Sequence, residues 1–399
     1  MLLFYLNVII SAQISVIEQY SLDFKKRMQS YSKKMKCMLL CLSKRFYKIV
    51  ITIFERTYKY IMKKLTIVEI ANMAGVSPAA VSIVINGKKG VSDKTRLKVS
   101  EIIEKLQYTP NPSSRRLLFN KSNNIAILFR KSLQPLEHLF YSELNSVVIS
   151  ECELRGYNLI FTSASLENDT VYLPNVIKAH DVDGVIFYGD TDPLIENALK
   201  KYDIPYILVD SHLQNGEKLS VRADYAAAAH TAVRHLIGLG HKQIAFIGNH
   251  FLQNHYAQTF SGFQRAVEEN DFTIPMNWIQ FEAYDENAAA TCMSRILSGP
   301  LLPTAVFCSA DIYAIGAMKS IKEHNLKIPQ DISVVGIDDI LLCQYVEPPL
   351  TTARIDKREM GRMAIELLIK RIENERVESR VLITDTLVVR SSTAVPQNP

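Results

Sequence analysis

Apolar residues fall in two different rhythms along this chain. Between residues 66 and 108 they recur every three or four positions: Ile67, Ile70 and Ala71, then Val81, Val84 and Ile85, then Val99, Ile102, Ile103 and Leu106. That spacing is the buried stripe of a short amphipathic helix, met three times over. Punctuation residues predict the ends. Thr66 stands three residues ahead of Glu69 in the capping-box spacing, and Gly75 can close the first helix in the left-handed conformation. Ser77 and Pro78 suit the cap and first turn of the second helix, and Ser92 caps the third, which ends before Tyr108 and Pro110. From Asn124 the rhythm changes. "NIAILF", "YNLIFTS", "DGVIFYG", "PYILVD", "QIAFIGN", "TAVFCS" and "ISVVGIDD" are short branched-apolar runs separated by helical segments such as Tyr141–Arg155. This alternation predicts parallel sheets with crossover helices, doubly wound. About ten such units exceed the strand number usual for one sheet, so two lobes are expected. The chain should cross between them near Val221–Asp224, near Thr352–Asp356 and near Arg380.

Three short helices with a glycine turn between the first two make a helix-turn-helix. Its second helix would set Ser77, Pro78, Ala79 and Ala80, and then Ser82 and Ile83, into a major groove. Those small residues allow close approach, and Ala79 or Ala80 can touch a thymine methyl. The charge distribution supports that partner. Residues 1–61 carry 11 Lys/Arg against 3 Asp/Glu, residues 62–121 carry 11 against 4, and the rest of the chain carries 24 against 34. A basic head on an acidic body points to a polyanion bound by the head alone.

The six cysteines (Cys37, Cys41, Cys152, Cys292, Cys308 and Cys343) form no CxxC pair and have no metal-ligand spacing with histidine, which fits a reducing cytoplasm. No run approaches the length of a membrane span. The stretch 1–61 has two readings. Its mixed basic and apolar residues suit a membrane-surface segment, or translation starts at Met62 and the stretch is a misassigned start; the second is the expectation.

The segment "TIVEIANMAGVSPAAVSIVINGKKGVSDKTRLKVSEIIEKLQYTPNPSSRRL" closely resembles the head of the lactose/galactose-repressor (LacI/GalR) family of bacterial transcription regulators, and the likeness continues to the C-terminus. It implies an N-terminal three-helix helix-turn-helix head plus a hinge helix, and an α/β body of two doubly wound parallel-sheet subdomains like those of periplasmic sugar-binding proteins. The implied boundaries are an extension at 1–61, the DNA-binding domain at 62–108, the hinge at 109–124, one subdomain at 125–222 with 355–380, and the other at 223–354 with 381–399. By position, the hinge leucine that wedges into the minor groove is Leu117, with Arg115 and Arg116 beside it on phosphate or groove. Thr66, Asn86, Asn111 and Ser114 complete the implied DNA-facing set. One departure stands out: Ile83 occupies a position where many family members carry Arg or His, so a bidentate base contact is absent there.

For the body, ligands of open parallel sheets bind beyond the carboxyl ends of strands, which singles out residues such as Asp210. The resemblance adds Asp338 in "VVGIDD", the aromatic pair Phe140 and Tyr141, and Tyr284 in "FEAYDENAAA", where the family often stacks an aromatic on its effector. Two polar positions depart from the family pattern. Thr259 in "TFSGF" replaces an arginine, and Ala310 in "ADIYAIG" replaces an asparagine, with Asp311 retained. Losing two fork-shaped donors makes an unmodified hexose a poorer fit and leaves room for a less polar or cationic effector, or for compensation by His212 or Arg130.

The expected function is a sequence-specific DNA-binding regulator, a repressor, acting as a cytoplasmic homodimer on double-stranded operator DNA under control of a small-molecule effector. No cofactor or metal is expected. The alternative is a sugar-type binding protein with no DNA role, which calls for a cleavable N-terminal signal. An enzyme on the same scaffold has no P-loop, G-x-S-x-G or H-E-x-x-H motif behind it.

Overall fold

Thr66 opens the first helix, α1 (Ile67–Ala74), through a complete capping box: its amide donates to Glu69 Oε2 at 2.7 Å while the Glu69 amide donates to Thr66 Oγ1 at 3.3 Å. Gly75 ends it at φ 64°, ψ 37°, a conformation that costs glycine nothing. In α2 (Pro78–Ile85) the Ala80 amide donates to Ser77 Oγ at 3.2 Å, and the two helices meet at 102°. The third helix, α3 (Asp93–Leu106), starts with the Thr95 amide donating to Ser92 Oγ at 3.2 Å. Ile70, Ala71, Ala74, Val81, Val84, Val99 and Tyr108 form one small core. Leu106, expected on that buried face, is instead exposed, because Tyr108 fills the end of the core beyond it.

The coordinates, a computed structural model, describe residues 66–85, 89–106, 108, 121–130, 135–213, 218–377 and 380–397. The extension 1–61, Asn86 and the hinge residues Asn111, Ser114, Arg115, Arg116 and Leu117 lie outside the described residues. The chain divides into two compact units, Met1–Asn111 and Pro112–Pro399.

In the second unit the described residues form two sheets. The first contains β1 (Asn124–Arg130), β2 (Asn158–Glu167), β3 (Thr170–Tyr172), β4 (Gly184–Tyr188), β5 (Tyr206–Val209), β6 (Ser220–Ala223) and β12 (Arg380–Ile383), in the order β12-β6-β5-β4-β1-β2-β3. Its helices are α4 (Leu139–Leu154), α5 (Asn175–Lys178), α6 (Pro193–Lys200) and α11 (Lys357–Ile372). The second sheet runs β13-β11-β10-β9-β7-β8, from β7 (Ile244–Ile247), β8 (Ile279–Gln280), β9 (Ala305–Cys308), β10 (Ser333–Asp338), β11 (Thr351–Ile355) and β13 (Asp385–Val388). It carries α7 (Tyr225–Gly238), α8 (Gln253–Glu268), α9 (Glu286–Leu297) and α10 (Asp311–Glu323). Pairing is parallel except for β2–β3 and β11–β13.

Alternation along each strand sends residues to opposite faces. Ile125, Ile127 and Ile186 lie in one buried cluster, and Ala126, Leu128, Val185 and Phe187 in another. Both faces are covered, as a parallel sheet requires. The chain passes between lobes after β6, after β11 and at Thr384. The third passage comes later than Arg380, and residues 381–383, expected in the second subdomain, sit on the first sheet. Val381 and Ile383 are in parallel register with Val221 and Ala223, so this stretch closes the otherwise open edge of β6.

Candidate effector cleft and DNA-reading face

In the head, Ser77, Pro78 and Ala79 are exposed and Ala80, Ser82 and Ile83 half-buried, whereas Val81 and Val84 point into the core. The face read from the sequence as DNA-facing is therefore the one the packing leaves available. It is short and mostly apolar, and the Ser77 hydroxyl already accepts from the helix it caps.

The two lobes of the body meet at the carboxyl ends of their strands. From the first lobe, Tyr141 on α4 donates its hydroxyl to Asp210 Oδ2 at 2.7 Å, just past β5, and stacks on Tyr188 at 5.0 Å. Tyr225, the first residue after the β6 passage, donates to Asp210 Oδ1 at 2.9 Å. Burial pushes both phenols well up, and the Asp210 carboxylate adds to it. His255, on α8 of the second lobe, packs edge-on to Tyr225 at 4.6 Å and to His212 at 5.0 Å. Burial, with His212 and His138 beside it, holds this imidazole well below its usual range, so it is neutral at physiological pH. His138, ahead of α4, is also lowered by burial, against the pull of Asp210.

Several hydrogen bonds link the lobes. Asn254 Nδ2 donates to Asp190 Oδ2 at 2.8 Å, and Gln258 Nε2 to the His212 carbonyl at 2.9 Å. Lys357, buried at the start of α11, donates to the Asp338 carbonyl at 2.5 Å, lies 3.3 Å from the Glu143 carboxylate, and sits 5.5 Å from the Phe140 ring centre. Asp338 ends β10 with φ 114°, a strained value for a residue with a Cβ. Burial raises its carboxyl well above the carboxylate range, Asp311 repels its charge, and Lys357 opposes both.

The structure brings together Phe140, Tyr141, Asp210 and Asp338, and four other expected site residues are placed differently. Thr259 is fully buried and turns its hydroxyl back onto its own helix, to the His255 and Tyr256 carbonyls at 3.0 and 3.2 Å. Asp311 is occupied internally: Thr352 Oγ1 at 2.6 Å, the Ile340 amide at 3.0 Å and Cys343 Sγ at 3.1 Å all donate to it. These bonds tie it to the β10–β11 end of the second lobe. Ala310 offers α10 no side-chain cap. Tyr284 is exposed on the loop ahead of α9. Sequence reasoning missed Tyr225, His138, His255 and Lys357. A usable signal existed for His255 alone, four residues ahead of Thr259 and so on the same helix face. Among the described residues, no group of three or more His, Cys, Asp or Glu is arranged to hold a metal ion, and no single helix is long and apolar enough to cross a membrane.

Comparison with known proteins assigns the same two parts. The family model described as bacterial regulatory proteins, lacI family, matches residues 66–111, and that of a periplasmic binding protein-like domain matches residues 233–393. The HTH-type transcriptional repressor PurR of Vibrio vulnificus (strain CMCP6) is 33% identical over 332 residues, covering 82% of this chain and 98% of that protein. PurR of Haemophilus influenzae (strain ATCC 51907 / DSM 11121 / KW20 / Rd) is 32% identical over 336 residues, with 82% and 98% covered. The lac repressor dimer bound to operator and the anti-inducer ONPF matches in structure over 83% of this chain and 100% of its own, with a TM-score of 0.72 and 25% identity. A complex of the transcriptional regulator CelR with cellobiose covers 82% and 99%, with a TM-score of 0.59 and 25% identity. The chain belongs to the LacI/GalR family, and is a DNA-binding transcriptional repressor controlled by a small-molecule effector.

Proposed function

We propose that this repressor is a cytoplasmic homodimer in which each protomer reads one operator half-site with α2 and senses its effector in the cleft between the lobes. The observation that carries the effector half is the meeting of Tyr141, Asp210, Tyr225, His255 and Asp338 from both lobes around one point. Twofold pairing follows from the size of the reading face, since one short helix specifies only a few base pairs; the lac repressor neighbour is described as a dimer on operator. The free buried thiols of Cys152, Cys292, Cys308 and Cys343 suit a reducing compartment.

On the DNA side, Ser77, Pro78, Ala79, Ala80, Ser82 and Ile83 touch base edges, with Thr66 and Asn86 flanking them. Asn111, Ser114, Arg115, Arg116 and Leu117 act in the hinge. A ligand that favours the closed arrangement of lobes strengthens the set of contacts between Asp190 and Asn254 and between His212 and Gln258. That free-energy difference is what couples the cleft to the operator.

Leu117→Ala tests the DNA half. Once an operator is fixed by in vitro selection, fluorescence anisotropy should show operator affinity falling ~10-fold or more while random duplex is bound nearly as before, because a wedge acts only where the base step deforms. Equal losses on both duplexes, or a monomer on the operator in sedimentation, count against the reading.

A further inference from the structure

We propose that the effector of this repressor carries a protonated amine, bound between Asp210 and Asp338. The proposal rests on the cleft being the effector site, and it concerns the chemistry of the occupant.

Three carboxylates converge on the cleft, and none has the cationic clamp that two buried acids elsewhere in the body have. Asp339 is clamped by Arg354 Nε at 2.7 Å and by an Arg390 guanidinium nitrogen at 2.6 Å, and Glu196 by Lys218 Nζ at 2.6 Å. Among the described residues, no Lys or Arg side chain forms an ion pair with Asp190, Asp210 or Asp338. The basic side chain beside Asp190 and Asp210 is the His212 imidazole, at 3.9 and 3.7 Å, and the direct donors to Asp210 are the neutral Tyr141 and Tyr225 phenols. Lys357 lowers the cost of the Asp338 charge from a distance, but its ammonium donates to backbone carbonyls and faces Glu143. Arg222 lies in the field of Asp190, and its guanidinium donates to the Leu213 carbonyl.

The hydrogen-bond inventory points the same way. Ionised carboxylates only accept, and a neutral imidazole keeps one accepting nitrogen. His255, 8% exposed, has Nδ1 buried without a partner, as has His212 Nε2. Asp338, also 8% exposed, receives no side-chain or amide donor on its carboxyl among the described residues. Thr259 turns its hydroxyl back on its own helix, and Ala310 has no side-chain donor to offer. A polyol needs donors as well as acceptors from its site, whereas an ammonium needs acceptors, negative charge and, as the rings of Tyr141 and Tyr225 provide, aromatic neighbours.

The test uses the full chain, screened by thermal shift and then calorimetry against biogenic amines, amino sugars, neutral sugars, nucleosides and carboxylic acids at one ionic strength. The tightest ligand is expected among the amines. Its N-acetylated form should bind ~100-fold weaker, and Asp338→Asn and Asp210→Asn should each cost the amine ~30-fold or more, as truncating one partner of a buried charge pair does. A third readout needs no variant. Ionising Asp338 for the amine displaces a proton that burial retains, so across a pH series the binding heat should vary with the ionisation heat of the buffer wherever that proton is still held in the free protein. If no amine binds, or if an N-acetylated or neutral compound binds as tightly, the charge class is wrong. A neutral ligand weakened by Asp338→Asn or Tyr225→Phe overturns the amine alone and keeps the cleft as effector site. Ligands indifferent to all three substitutions overturn both.

Discussion

The head and the cleft are built over very different lengths of chain. Each helix of the head starts on a contact three residues long: Thr66 with Glu69, Ser77 with Ala80, Ser92 with Thr95. In the cleft Tyr141 meets Asp210 across 69 residues, Asn254 meets Asp190 across 64 and Gln258 meets His212 across 46. The head is thus specified by local signals that survive in any window of sequence, and its tolerance to change is set residue by residue. The cleft exists only when two sheets are complete and correctly spaced, so its geometry depends on packing far from it.

The sharpest way to break that contrast is to substitute one glycine in each region. A Cβ on Gly262 would overlap the Ala226 carbonyl and crowd the Ala229 side chain, so Gly262→Ala must push α8 off α7. The helix pair is tightly packed and cannot absorb the volume, which places the cost at about 3 kcal/mol, or about 6 °C or more in melting temperature for a unit of this size. Because α8 carries His255, Asn254 and Gln258, effector response should fall with stability. Hydrogen exchange should show α7 and α8 losing protection while α1–α3 keep theirs. Loss of protection spread evenly over both regions would show that they do not behave as separate units.

Gly75→Ala makes the matching change in the head. Here nothing obstructs the added carbon, whose nearest neighbour is Lys98 Nζ at 3.8 Å; the cost is the left-handed backbone alone. That is about 1 kcal/mol, enough to speed amide exchange through α1–α3 about fivefold without altering the effector lobe. A cost as large as that at Gly262 would mean that the turn carries tertiary strain as well.

This difference also accounts for what could be read in advance. The helix-turn-helix, the doubly wound body and two of the passages between lobes were legible because capping, glycine placement and strand periodicity are local. Residues 381–383, expected in the second lobe, pair with the first, because an edge strand of four residues is recruited by its neighbour β6 and leaves no periodic mark. Asp311 and Thr259, expected at the effector site, both have internal hydrogen-bond partners. Whether a polar side chain faces a cleft or its own lobe depends on which donors arrive from elsewhere, here Thr352 and the Ile340 amide. His255 lies within a helix and Tyr225 follows β6, whose sequence SVRA is no apolar run, so neither is marked by the strand pattern.

The smallest expected effect discriminates most finely, because it separates the cleft from the structural acids around it. Asp338 and Asp339 are adjacent, both buried, and oppositely treated: Asp339 has two arginines, while burial and Asp311 hold the Asp338 carboxyl's proton on above the ordinary range. A group whose folded pKa is raised binds more protons in the native state than in the unfolded one. Its stabilising protonated form is complete below the unfolded value, and stability is lost as pH rises from there through the folded value. Asparagine at 338 has no proton to lose. Asp338→Asn should therefore melt about 2 °C or more above the native protein near pH 8, with the gap closing as pH approaches 4. Asp311, relieved of a neighbouring charge, should contribute in the same direction. His138 and His255, lowered by burial, act with the opposite sign and lose stability in acid, but they do so in both proteins and largely cancel in the difference. Differential scanning calorimetry at several pH values reads the gap directly. A variant that melts below the native protein near pH 8 would show that the Asp338 carboxylate is held by the fold, like that of Asp339, and is not kept for a ligand.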